Sequence, residues 1–317
     1  MHEVENMLYV GATPWHKLGT KFVDAPDLET AIVASGLDWQ VTTEPLYTES
    51  QEKVAALATR RTSDHKILGV VGPTYQPQQN KEAFDFFKPF VESNQASIET
   101  CGSLRGGKRV FILAKLNLDP VKIVGDDEVA KYVLMCNSHD GTMAVRVGFT
   151  PIRVVCANTM SMAINSKASK LIRVRHTKNI KKNLEEVGRI MNLANAEFEA
   201  SAEQYRSLAH KQINQADLEK YVKIIFNVNK KLEMTEENLA VIQNKRLMKS
   251  IIPLFEKGRG NNMPNVKGTY WAAYNAVVEY LQYNRGNDET HRLDQMWFGQ
   301  GANLNRKALT TAIKMSA

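Results

Sequence analysis

The chain has 317 residues, of which 43% are hydrophobic and 24% charged, and its formal net charge is +7. This length and composition are typical of a globular protein with one or two domains. No apolar run approaches the roughly 18 residues of a membrane span, and Glu3 and Glu5 stand where a signal peptide would be basic, so we expect a cytoplasmic protein.

The first hundred residues predict strands and short helices. Asp27 can cap a helix, and Pro89 should kink or end another, because proline removes a backbone donor and clashes with the preceding turn. The elements expected in this part are a non-helical arm over 1–26, a helix over 27–39, a hairpin of strands 53–60 and 66–71, and a helix over 80–93.

Two further hairpins are predicted by their turns. The sequence Arg105-Gly106-Gly107-Lys108 separates two strand-like runs, and Gly-Gly is a preferred hairpin turn. Asp140-Gly141 separates KYVLMCNS from MAVRVGF, and glycine accepts the positive φ that such a turn needs. Alternation in the last strand puts Val147 on one face and Arg146 on the other. A helix over 154–165 and a strand or connection over 170–176 are expected next.

After residue 177 the pattern becomes helical. From Ile180 to Leu208 apolar residues recur in steps of four and three, interrupted at Ser201, which predicts one long helix with a heptad seam. That helix either packs on its own domain or also mates with another subunit. Further helices are expected over 217–227, 236–257, 269–284 and 303–315.

These patterns predict an α+β fold. An antiparallel hairpin sheet with packed helices should occupy residues 1–177, and an all-helical portion should follow over 178–317.

Residue spacing does not indicate a metal site or a cofactor. Cys101, Cys136 and Cys156 form no CxxC pair, which predicts reduced, mostly buried thiols. The seven histidines show no HxxxH or HExxH spacing. The triplet 126–128 (Asp-Asp-Glu) predicts a solvated turn, and the loop 258–271 (GRGNNMPNVKGTYW) fails the phosphate-loop pattern. That loop is either a mobile connector or a grip on a phosphate backbone.

The sharpest anomaly is a run of 44 residues, 141–184, without an acidic side chain. Such a stripe favours a polyanionic partner, since a solubilising face usually mixes both signs of charge. Its cations that we expect to contact phosphates are Arg146, Arg153, Lys167, Lys170, Arg173, Arg175 and Lys178, and a second patch is expected at Arg105, Lys108 and Arg109.

Several segments together resemble a known family. The segments TPWHKLG, NSHDGTMAVRVGFTPIRVVCANT, IRVRHTKN, GTYWAAYNAVVEYL and RLDQMWFGQGANL resemble the phage- and plasmid-like domain of unknown function 932. The resemblance implies a setting in mobile genetic elements and their bacterial hosts, but no catalytic residues. The expected fold is also broadly similar to that of phage single-strand annealing recombinases.

The leading hypothesis is therefore an oligomeric protein that binds single-stranded DNA in annealing or recombination, a function that needs no cofactor and no nucleotide hydrolysis. One alternative is a metal-dependent nuclease that uses His139 and Asp140, although these residues more simply form a turn. Another is a structural or anti-defence protein whose basic face meets an acidic host protein.

Overall fold

The computed structural model describes residues 4–11, 19–143, 145–155, 180–227, 234–286, 292, 295–297 and 299–317, and for 180–188 and 234–245 only the helical backbone. Contacts divide the chain into two interleaved units. The first unit comprises 1–118, 132–149 and 168–193, and the second comprises 119–131, 150–167 and 194–317. The predicted boundary at 177 lies outside the described residues.

The described strands form two sheets. They are β1 (Val4–Val10), β2 (Thr20–Phe22), β3 (Val41–Tyr47), β4 (Lys53–Arg61), β5 (Ile67–Val71), β6 (Ala96–Leu104), β7 (Arg109–Leu116), β8 (Val121–Val124), β9 (Asp127–Ser138) and β10 (Arg146–Arg153). The larger sheet has the order β10-β9-β7-β6-β1-β2, with β8 also paired to β9, and the smaller has the order β3-β4-β5.

Both predicted glycine turns join neighbouring strands of the larger sheet. The turn at 105–108 joins β6 to β7, whose antiparallel register pairs Leu104 with Arg109, and the turn at 139–145 leads from β9 to β10. Strand β1 lies inside this sheet, antiparallel to β6 and parallel to β2. The arm expected over 1–26 therefore contains two strands.

The described helices are α1 (Leu28–Ala34), α2 (Asn80–Phe84), α3 (Lys88–Glu92), α4 (Ile180–Ala209), α5 (Gln215–Phe226), α6 (Met234–Lys257), α7 (Tyr270–Glu279) and α8 (Gln300–Ser316). Asp27 caps α1 as expected, since its carboxylate accepts the Thr30 N–H at 2.8 Å. The helix expected over 80–93 is broken by a 3₁₀ turn at Asp85–Phe87, and Pro89 lies in the first turn of α3.

Mixed sheets followed by helices confirm the α+β class. The helix expected over 154–165 lies almost wholly outside the described residues, as does the segment 170–176. The structure adds strands β3 and β8, for which the sequence pattern gave no prediction. No described helix is long and apolar enough to cross a membrane.

The core of the second unit is helical and encloses part of the heptad seam. Phe198, Tyr205 and Leu208 are at most 2% exposed, and the Tyr205 ring lies 4.9 Å from that of Trp271 on α7. Ser201 fits the seam because its hydroxyl donates to the Glu197 carbonyl at 2.8 Å. Over 194–208 the seam therefore packs on its own unit, which agrees with the expectation that the long helix packs on its own domain.

Candidate nucleic-acid interface

The predicted cations divide into three groups in the structure. Lys167, Lys170, Arg173, Arg175 and Lys178 lie outside the described residues. Arg105, Lys108, Arg109 and Arg146 lie at the ends of strands or in the turns between them, and all four are at least partly exposed. Arg153 is fully buried.

Arg153 does not belong to a surface, and its assignment to phosphate contacts is wrong. Its guanidinium forms an ion pair with Asp127 at 2.6 Å, and both side chains are 0% exposed. The same guanidinium donates to the carbonyls of Arg259 and Gly260 and to the Asn261 side chain. The Trp271 indole N–H donates to the same carboxylate at 2.7 Å. All the donors that the guanidinium offers thus have partners inside the second unit.

Alternation along β10 contained the signal for this burial. Arg153 is in phase with Val147 and Phe149, which are both buried, whereas Arg146 is out of phase and exposed. Asp127 corrects a second expectation, because the triplet 126–128 does not form a wholly solvated turn. Its central carboxylate is the partner of the buried arginine.

The four predicted cations that are at least partly exposed lie at one end of the larger sheet. Arg109 begins β7 and pairs with Ser138 at the end of β9, and Arg146 begins β10 on the other side of β9. Adjacent strands lie about 4.8 Å apart, so β7 and β10 are separated there by about 10 Å. The His139 N–H donates to the Lys108 carbonyl at 2.8 Å, which fixes the neighbouring turn to this end.

The strand register places Arg109 on the same side of the sheet as the Cys136 thiol, because Arg109 pairs with Ser138 and Phe111 pairs with Cys136. Burial raises the pKa of Cys136 to about 12, and the positive charges of Arg146 and Arg109 oppose that shift. The Cys136 thiol also lies 3.8 Å from the Arg146 carbonyl oxygen. Cys101 is likewise buried, as expected for a reduced thiol, whereas Cys156 lies outside the described residues.

The Gly-Gly turn brings a further cation to this end. Arg105, Gly106 and Gly107 all have positive φ, and a side chain on either glycine would collide with a cation: Lys66 at Gly106 and Arg61 at Gly107. Glycine is therefore favoured by backbone conformation at both positions, and at Gly107 also by space, because the Arg61 guanidinium there is held by ion pairs. We define the basic end as Lys66, Arg105, Lys108, Arg109 and Arg146.

Arg61 lies against the Gly-Gly turn of the basic end but is not part of the exposed cation group. Its guanidinium forms ion pairs with Glu5 and Asp64 and lies 5.4 Å from the centre of the Trp39 ring. Hydrogen bonds from Arg61 lower the pKa values of both carboxyl groups. Arg61 is 7% exposed, so it acts as a buried anchor rather than a ligand contact.

His139 is part of the core, and Asp140 closes the turn. The His139 ring is 0% exposed, its Nε2 lies 2.8 Å from Asn80 Oδ1, and its ring meets Trp39 edge-on at 5.2 Å. Burial lowers the pKa of His139 to about 4, so the ring is neutral at pH 7. Asp140 Oδ1 accepts the Thr142 N–H at 3.0 Å and the Thr142 hydroxyl proton at 2.6 Å.

A loop that the sequence did not single out completes the site. It runs from Tyr75 to Asn80 and is bound to the 137–139 segment by three hydrogen bonds. The Tyr75 hydroxyl donates to the Ser138 carbonyl at 3.3 Å, and the Asn137 amide donates to the Gln78 carbonyl at 3.1 Å. The third bond joins Asn80 Oδ1 to His139 Nε2. These polar residues are spaced irregularly in a Pro- and Gln-rich stretch and show no periodicity. Their hydrogen bonds to the 137–139 segment therefore become apparent only in the fold.

A family model matches residues 67–309, which is more than half of the chain, and its description is domain of unknown function 932. The chain belongs to this family. No curated protein and no solved structure matches the chain significantly.

The segment matched by the domain of unknown function 932 contains most of the candidate site. The loop from Tyr75, both glycine turns and the Asp127–Arg153 pair all fall within it, whereas Arg61 and Lys66 lie just before it. In the described residues, no group of three or more His, Cys, Asp or Glu side chains is placed to hold a metal ion.

Proposed function

We propose that the protein binds single-stranded nucleic acid, preferably DNA, at the basic end of the first unit. The observation that carries the proposal is that positive side chains meet at the basic end from three separate turns, two of the larger sheet and the β4–β5 turn of the smaller sheet. Within the part of the chain that the structure describes, neither Lys108 nor Arg146 forms an ion pair. The like charges of Lys108 and Arg146 at this end repel the neighbouring cations, and a phosphate backbone relieves that repulsion.

The basic end also begins the acid-free run. Arg146 lies in the run 141–184, whose further cations are Lys167, Lys170, Arg173, Arg175 and Lys178. We include these five residues in the proposed interface as a continuation along the chain. Such a long basic stripe fits a polymer of phosphates better than a single phosphorylated metabolite.

The wider role that we propose is annealing or recombination of DNA in a mobile genetic element. A homo-oligomer is part of this proposal. Its contact would require a surface other than the seam over 194–208, because that stretch is already buried in its own unit.

The geometry favours binding over the nuclease alternative. A nuclease based on His139 would need an accessible base, and this ring is enclosed and hydrogen-bonded to Asn80. Asp140 stands next to it in sequence but is engaged in its own turn with Thr142. Adding Mg²⁺ or Mn²⁺ to the binding samples tests the nuclease alternative. If the wild type then cleaves DNA and Asp140→Asn does not, the primary function is cleavage and not binding.

The decisive experiment is a titration of labelled single-stranded DNA at about 50 and 200 mM salt. We expect Lys108→Ala with Arg146→Ala to weaken binding and to lower the slope of log K against log salt by about 0.7 per lost contact. Lys53→Ala is the matched control, because Lys53 is exposed at the far end of β4, about 26 Å along the strand from Arg61.

Two results would overturn the proposal. One is undetectable binding at the lower salt concentration. The other is a double variant that loses no more affinity than Lys53→Ala. A host protein captured by the basic end in nuclease-treated extract, together with absent DNA binding, would favour the acidic-partner alternative.

A further inference from the structure

Tyr75 is hydrogen-bonded to the chain segment that leads into Asp140 at the basic end. The Tyr75 ring is partly exposed, and its hydroxyl donates to the carbonyl of Ser138, two residues before Asp140 in the chain. Burial raises the pKa of Tyr75, and the negative charge of Asp140 adds to that shift, as expected for neighbouring groups. The surface that carries the cations therefore also presents one aromatic ring and one carboxylate.

The carboxylate is not explained by phosphate binding. A negative charge near Arg109 weakens the attraction for a phosphate backbone. Burial opposes ionisation of Asp140, but hydrogen bonds from Thr142, with a smaller contribution from the charge of Arg109, lower its pKa, so the group stays ionised at neutral pH. The turn does not require a carboxylate either. Oδ1 alone accepts both bonds from Thr142, and the Oδ1 of asparagine would serve equally well.

We propose that Tyr75 and Asp140 form a nucleobase site that prefers cytosine to thymine. The proposal rests on the function proposed above and deepens it. The Tyr75 ring stacks on one base of the bound strand, and the Asp140 carboxylate accepts a hydrogen bond from an amino group of that base. Lys108 and Arg146 hold the phosphates on either side.

The hydrogen-bonding groups of the two pyrimidines explain why cytosine should bind more tightly than thymine. Cytosine carries an N4 amino donor where thymine carries an O4 acceptor, so a carboxylate attracts the first and repels the second. The ring stacks on either base, because stacking is tolerant of sequence. Stacking on a splayed base also explains why a single strand would be favoured over a duplex.

The test compares oligo(dC) with oligo(dT), each of about 20 nucleotides, at pH 7.5 and low salt. We expect the wild type to bind oligo(dC) about five- to tenfold more tightly. Asp140→Asn keeps the turn and should bring the ratio close to one. Equal affinities in the wild type, or a ratio that survives Asp140→Asn, would overturn the base site. Failure to bind either strand would instead overturn the proposed function itself.

Tyr75 is tested by a pair of variants. Tyr75→Ala should weaken binding of both strands about fivefold or more at an unchanged salt slope, because stacking releases no counterions. Tyr75→Phe keeps the ring and should bind as the wild type does. If Tyr75→Phe binds as weakly as Tyr75→Ala, the hydroxyl contact to Ser138 explains the loss and the stacking role is wrong. Tyr47→Ala, at an exposed tyrosine on β3, is the control.

Discussion

Acid should destabilise the first unit through His139. The amide group of Asn80 donates to the carbonyls of Leu37 and Trp39, which leaves its Oδ1 as an acceptor for the ring. His139 Nε2 must therefore carry the proton at pH 7. Nδ1 then carries a lone pair, and it has no hydrogen-bond partner among the residues that the structure describes. Protonating Nδ1 would add a buried charge and a donor without an acceptor.

The size of the effect follows from the two pKa values. The folded pKa of His139 is about 4, compared with an ordinary value of 6.5, so the unfolded chain binds more protons between these pH values. Stability is therefore lost as pH falls from 6.5 towards 4. The loss is about 1.4 kcal/mol for each pH unit, or about 3 kcal/mol in total.

Urea unfolding at a series of pH values between 7.5 and 4.5 measures this loss. His139→Gln can still donate to Asn80 but cannot titrate, so its profile should be flatter than that of the wild type by about 2.5 kcal/mol over the window. Comparing the variant with the wild type cancels the contributions of the carboxyl groups. His65→Gln, at an exposed histidine, should leave the slope unchanged. An identical slope in wild type and His139→Gln would refute the reasoning.

Two further predictions concern stability. Arg153→Met should lower the unfolding free energy by about 3–5 kcal/mol because it leaves the Asp127 carboxylate buried without its cation, and adding Asp127→Asn should recover part of that loss. Calorimetry of both variants checks this, and a loss under about 1 kcal/mol for Arg153→Met would contradict it. Gly107→Ala should cost about 1–3 kcal/mol, because φ is +86° and the new methyl carbon would lie 2.7 Å from an Arg61 nitrogen. An unfolding midpoint in urea equal to that of the wild type would count against the role given to this turn.

Local rules predicted the elements whose signals lie within a few residues. The helices expected over 217–227 and 236–257 correspond to Gln215–Phe226 and Met234–Lys257, because apolar periodicity and turn chemistry are local properties. Strand β1 gave no such signal. It is paired on both sides by distant partners, β2 and β6, and its role in the sheet depends on them.

The candidate site was predictable only in part, because charge alone does not determine exposure. Arg146 and Arg153 stand in the same acid-free run, yet one is exposed and the other is enclosed by acceptors that come from a loop more than a hundred residues away. Tyr75 and Asn80 were missed for a similar reason. Their importance comes from contacts with the 137–139 segment, about 60 residues later in the chain.

The bond between Asp127 and Trp271 has a consequence for synthesis of the chain. These residues are 144 positions apart, so a growing polypeptide that has already exposed Asp127 must wait for α7 to emerge before the carboxylate receives its indole donor. Arg153 follows Asp127 after only 26 residues and can neutralise it much earlier. Arg153 can thus pair with the Asp127 carboxylate before Trp271 is synthesised. The helices then enclose a carboxylate whose charge is already neutralised.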